Sequence, residues 1–164
     1  MSKSDKSKHA ICIAAIKKNT MKPYDFKWTK FYSSNSEFSH NKIQLQRKEG
    51  ELIICSTIIN EKNYSILTTQ RLITKENGNE KIGNMNEASD ESYGNFKGYG
   101  DVGFTFGLVK LKSELELKYF IETGKASMVM VHGIRTLIRT QTLTEKNIEN
   151  LIRIWNRQNQ NNEK

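Results

Sequence analysis

The sequence predicts an α+β fold: a strongly bent antiparallel β-sheet, an amphipathic C-terminal helix and an N-terminal extension. Three observations carry this. First, between Val109 and Ile121 the residues Val109, Leu111, Leu115, Leu117, Tyr119 and Ile121 alternate with Lys110, Lys112, Glu114, Glu116 and Lys118. A period of two puts apolar and charged side chains on opposite faces of a strand. One strand of that length would span about 40 Å, too long for a small domain, so a turn near Lys112–Glu114 must fold it into a hairpin. Second, short runs rich in Ile and Thr recur between turn signals. Third, Ile148, Leu151, Ile152 and Trp155 follow the 3-4-7 spacing of a helix stripe.

The 164 residues are enough for one domain with a real core. A hydrophobic fraction of 36% and a mean hydropathy of −0.67 make the chain polar, yet its aromatic and β-branched residues recur too regularly for disorder in the middle. The formal net charge of +8 is concentrated at the ends; the first 30 residues hold eight lysines against two acids. Basic ends suit an anionic partner or plain solubility. Cys12 and Cys55 lie in unrelated apolar contexts, which reads as two reduced thiols in a cytoplasmic protein. The run Ala10–Ile16 is too short to span a bilayer, and Lys17 and Lys18 follow it where a cleavage site would stand, so export is not expected.

In chain order, residues 9–18 suit a short helix with Ile13 and Ile16 on one face. Tyr24, Phe26 and Trp28, spaced by two, read as a first strand. Residues 33–41 form a polar loop, and Ile43, Leu45 and Arg47 an extended piece ending at Glu49-Gly50. Residues 52–59 have strand character, followed by a turn at 60–63. Residues 64–74 read as two short apolar pieces around Thr68–Gln70, and Asn77-Gly78 is a hairpin turn. Residues 80–103 are the least regular: a weak strand near Met85–Ser89, then a long glycine-rich loop. Phe104 opens the next strand. The apolar run Ala126–His132 reads as a buried last strand, with a shorter helix at Ile134, Leu137 and Ile138. For the final helix two starts compete: a capping box of Thr142 with Glu145, or Thr144 as N-cap with Leu143 stapled to Ile148.

Strands followed by an amphipathic C-terminal helix, together with Tyr64-Ser-Ile-Leu-Thr-Thr-Gln-Arg-Leu-Ile73, resemble the bacterial pleckstrin-homology-like (PH-like) domains. Thr68 and Arg71 would bracket a tight turn while Ile66, Leu72 and Ile73 face the core. The resemblance implies a PH-like barrel over residues 50–158, with Trp155 plugging one open end, residues 1–49 as an N-terminal extension and 159–164 as a frayed tail. It also implies a non-catalytic binding or scaffolding module. The clustered lysine–arginine pattern of phosphoinositide binders is missing from the chain.

No motif demands catalysis or a cofactor. Gly98-Tyr-Gly-Asp-Val-Gly103 matches GxGxxG, but a strand pattern follows it where a dinucleotide fold needs a helix. His9, His40 and His132 lack metal-ligand spacing. The candidate partner-binding residues are Lys17, Lys18, Lys22, Lys27, Trp28 and Lys30, basic charge interleaved with aromatics. The expected partner is another protein, with an anionic membrane surface or nucleic acid as weaker alternatives. A small cytoplasmic inhibitor, such as a toxin-immunity protein, is the second reading of function.

Overall fold

In the computed structural model, residues 3–97, 103–112 and 114–162 are described. They form an α+β fold of two antiparallel sheets and three helices. Helix α1 (Asp5–Asn19) opens the chain, with the Ser4 side chain capping Ser7 N. Strand β1 (Thr29–Phe31) and the meander β2 (Ile53–Asn60), β3 (Asn63–Thr68), β4 (Arg71–Glu76) and β5 (Asn79–Asn84) pair in sequence order as a five-stranded sheet. Strands β6 (Ala88–Tyr93), β7 (Phe104–Leu111) and β8 (Glu116–Glu122) form a second, three-stranded sheet, followed by α2 (Ser127–Arg139) and α3 (Glu145–Asn162).

The five-stranded sheet is covered on both faces. Cys55, Leu67, Leu72 and Gly83 are cross-strand partners in one row, and Ser56, Ile66, Ile73 and Ile82 form the next. The first row enters the main core with Ile11, Cys12 and Ile16 of α1, Val129, Met130 and Ile134 of α2, and Val109, Leu117 and Tyr119 of the second sheet. The second row meets Tyr32, Ile43 and the flanking Phe38 and Leu45, which strap the outer face. Double burial explains why 53–58 and 64–74 read as continuous apolar runs rather than alternations. The β7–β8 hairpin keeps the predicted alternation: Val109, Leu111, Leu117, Tyr119 and Ile121 are buried. Leu115, counted with the apolar face, instead sits in the connecting turn and is 65% exposed.

The Thr68–Arg71 turn has the bracketing role read from the sequence. Arg71 binds the buried Glu51 carboxylate in a two-pronged pair, with Nε and Nη2 at 2.8 and 2.9 Å. Thr68 Oγ1 and Lys48 N also donate to it. Burial would raise the Glu51 pKa, but these donors together hold it below the ordinary value. The ion pair thus pins the strap to the β3–β4 turn, and Arg71 Nη2 adds a bond to the Gln46 carbonyl.

Four expectations change. The run Ala126–His132 is not a strand; most of it forms the first turns of α2, continuous with Ile134 and Leu137. Packed against α1 and both sheets, this helix buries so much of its circumference that its apolar stripe reads as a solid run. Tyr24–Trp28 is not a strand, because its backbone is held by a side chain: Glu122 accepts from Lys27 N, Trp28 N and Thr29 Oγ1. The stretch 80–103, taken as weak strand and loop, contains all of β5 but its first residue, a 3-10 turn at Met85–Glu87 and all of β6. Finally, the helix lying over the sheets is α2, whereas α3 packs mainly on α1. Thr144, not Thr142, caps α3 through Asn147 N, and Trp155 is half-buried beneath Lys18, 5.1 Å from its ring centroid. Residues 98–102 of the GxGxxG match lie outside the described residues.

Two stability measurements follow from these contacts. A Cβ at Gly133 would sit 3.0 Å from Cys55 Sγ and 3.2 Å from Leu67 Cδ2. Gly133→Ala should therefore destabilise the protein by about 1–2 kcal/mol in urea titrations, overpacking outweighing the gain in helix propensity. The loss should shrink in a Cys55→Ala background, since the two sites are coupled through one contact. Arg71→Leu should cost about 3–5 kcal/mol, because it strands the Glu51 carboxylate without its counter-charge.

Candidate functional site

The six sequence-predicted residues separate into three places. Lys17 from α1 and Lys30 from β1 line one groove of about 380 Å3 with Tyr24, Phe26, Phe31 and Glu37. Lys22 joins it at the rim, its Nζ 5.9 Å from the Tyr24 ring centroid. Lys18 lies over Trp155 at the α1–α3 contact instead. Lys27 stacks on Trp28, 4.7 Å from the ring centroid, and Trp28 meets Phe104 edge-on against the second sheet. Trp28 is therefore engaged by the fold and does not belong to the groove.

The groove is built from local choices in the chain. Tyr24 and Phe31 pack edge to face with centroids 5.0 Å apart, and Phe26 tilts against Tyr24. The floor is fixed by Tyr32, whose hydroxyl lies 2.7 Å from Ser56 Oγ and whose carbonyl lies 2.8 Å from His9 Nε2. The acid at the rim, Glu37, turns its carboxylate onto Ser33 N and Ser34 N, closing a capping box over residues 34–37. Its charge is thereby spent on the backbone. What remains facing outward is an aromatic surface flanked by ammonium groups, suited to a carboxylate-bearing partner with an apolar side chain.

A second cluster was not foreseen. Glu91 on β6 is nearly buried and accepts from the Tyr119 hydroxyl at 3.0 Å and from Arg135 Nε at 3.3 Å. Arg135 also donates to the Tyr93 hydroxyl and lies over that ring. Tyr119 crosses directly over Gly107, where a Cβ would come within 2.2 Å of its ring. Reading β6 as loop and the first turns of α2 as strand hid this cluster, since its members come together only when both elements are correct. An isolated Glu91-Ser-Tyr93 pair spaced by two was the available signal.

Burial dominates the ionisation of this region. It raises the Glu91 carboxyl to about 7, against the opposing pull of Tyr119 and Arg135. It lowers His132, one turn before Arg135 on α2, to about 4, helped by the positive charges of Arg135 and Lys18. Both thiols are likewise pushed up by burial and are free. Among the described residues no group of three or more histidine, cysteine or acidic side chains is placed to hold a metal ion, and no helix is long and apolar enough to cross a membrane. No family model matches the chain, and no curated protein or solved structure matches it.

The two shifted groups act on stability with opposite sign. A raised carboxyl means that the native state binds more protons than the unfolded chain between pH 4.5 and 7, so stability from Glu91 falls as pH rises through that window. A lowered imidazole gives the reverse between pH 4 and 6.5, stability from His132 being lost as pH falls. Urea midpoints measured across this range should rise with pH in Glu91→Gln and fall with pH in His132→Gln, relative to the flatter profile of the parent. Parallel profiles for all three proteins would contradict the assignment.

Proposed function

We propose that the protein is a non-catalytic binding or scaffolding module that holds an acidic segment of another protein in the groove between α1 and β1. The observation that carries this is the convergence of Lys17, Lys22 and Lys30 on the aromatic surface of Tyr24, Phe26 and Phe31, with the rim acid Glu37 already committed to backbone. A PH-like origin is part of the same reading. It is supported by the succession of antiparallel strands leading into an amphipathic helix and by the Thr68–Arg71 turn. The polar networks of the chain serve packing: Glu122 anchors a loop, Glu51 a strap, and Glu91 is closed in by Tyr119 and Arg135.

The test is capture of binding proteins from an extract of the cells that make the protein, using the parent, Lys17→Glu/Lys30→Glu and a control, Lys81→Glu, on the exposed face of β5. The groove variant should lose the captured partner, with affinity for the purified partner reduced about tenfold or more. The control should keep it, and rising salt should weaken the parent's binding because exposed charges are screened over about 8–10 Å. Identical capture by all three proteins would remove the groove from consideration. Competition by anionic vesicles or single-stranded nucleic acid would redirect the reading to those partners.

A further inference from the structure

Strand β6 is the last strand on its side of the three-stranded sheet, so among the described residues one edge of its backbone has no strand beside it. That edge and α2 enclose a groove of about 500 Å3. Five consecutive strand residues, 89–93, make one wall, and Arg135 and Ile138 of α2 make the other. The ladder shows which backbone groups face the groove. Gly94 N donates to the Phe106 carbonyl on β7, and antiparallel pairing alternates, so Ser92 also turns its N–H and C=O to β7 while Glu91 and Tyr93 turn theirs to the free edge. The Glu91 N–H is held at 2.8 Å by Asp90 Oδ1, its own neighbour. A side-chain oxygen there stands where the carbonyl of an added strand would stand.

The groove has defined ends and one charge to offer. Gln141 Nε2 donates to the Met85 and Ala88 carbonyls and closes one end. The Tyr93–Phe96 ring pair walls the other. Of the acids that line it, Glu91 is engaged by Tyr119 and Arg135, and Asp90 turns one carboxylate oxygen onto the Glu91 N–H. Arg135 is half-exposed and commits two of its five N–H donors, one to Glu91 and one to Tyr93. It remains able to receive a carboxylate.

We propose that this groove binds an extended, carboxylate-bearing peptide segment of a partner protein, added as a strand to the free edge of β6 with its acidic group on Arg135. The wall accommodates about five residues, or roughly 17 Å of extended chain. Main-chain bonds to Tyr93 and to the Glu91 carbonyl supply affinity, Ile138 receives an apolar side chain, and Arg135 supplies selectivity. The site shares no residue with the lysine-lined groove, so it stands or falls separately from the function proposed above.

The experiment is selection from random linear peptide libraries, one displayed with free and one with blocked carboxy termini, followed by amide hydrogen exchange on the parent protein. Enriched peptides should carry an acidic residue or a free carboxy terminus and should slow exchange at Tyr93, leaving Ser92, already bonded to β7, and Glu91, already bonded to Asp90, unchanged. Arg135→Gln should weaken them about tenfold or more, whereas Lys17→Glu/Lys30→Glu should bind them like the parent. Failure to enrich any sequence would overturn the proposal. So would enriched peptides that bind Arg135→Gln equally well, or that leave the exchange of Tyr93 untouched.

Discussion

Helix α2 reaches the five-stranded sheet at the one place where it has no side chain. Gly133 faces Cys55 Sγ, Leu67 and Ile16, and its carbonyl lies 3.6 Å from Cys12 Sγ. Three elements, α1, α2 and the β2–β3 pair, close on this point. Close packing at interior density leaves little room for adjustment there. Much else depends on that seating. It brings Arg135 to β6 and Glu91, and it leaves α1 exposed on the side that α3 then covers. The two cysteines contribute as small, polarisable fillers of this junction, which accounts for their complete burial as free thiols.

Three buried or nearly buried carboxylates hold the irregular parts of the chain to the regular ones, each by a different means. Glu51 is matched by a full counter-charge from Arg71. Glu122 has no cation among its described contacts and is satisfied by two backbone N–H groups and a hydroxyl. Glu91 sits between these cases, with a phenol on one oxygen and a half-exposed guanidinium on the other. The gradation matters because burial of a carboxylate is costly unless its lone pairs are occupied. Glu51 is consequently held below its ordinary pKa, while Glu91 is raised into the neutral range. Strap, loop and groove are therefore three uses of one residue type, separated by what surrounds it.

The stretch 109–121 was legible because exposed Lys110, Glu116 and Lys118 alternate with buried Val109, Leu111, Leu117 and Tyr119, so the period of two survives there. The Thr68–Arg71 turn was legible because its residues are local in sequence and bracket their own bend. The α2 segment was not, since its first turns are a continuous apolar run, Met128–Val131, and the polar stripe of His132, Arg135 and Arg139 begins only after it. β5 and β6 were missed for the opposite reason: Asn79–Asn84 and Ala88–Tyr93 carry few apolar residues, and both lie at sheet edges where pairing rather than burial makes the strand. Lys17 and Lys30 line one groove, but Trp28 was not separable from them in the sequence, because only the Glu122 anchor turns it toward Phe104. The Glu91–Arg135 cluster joins residues 44 apart, and no local pattern encodes such a meeting.

The contact between the first helix and the last has a consequence for how the chain is made. α1 packs chiefly on α2 and α3, with Asn159 reaching the Ala14 carbonyl across 145 positions. Synthesis runs from the amino terminus at about 5–20 residues per second, so Ile11, Cys12 and Ile16 leave the ribosome well before the helices that will cover them. For several seconds or more these apolar residues of α1 wait without their partners. Lys6, Lys8, Lys17 and Lys18 keep that waiting segment charged and hydrated, a gatekeeping arrangement that acts on the nascent chain rather than on the finished fold.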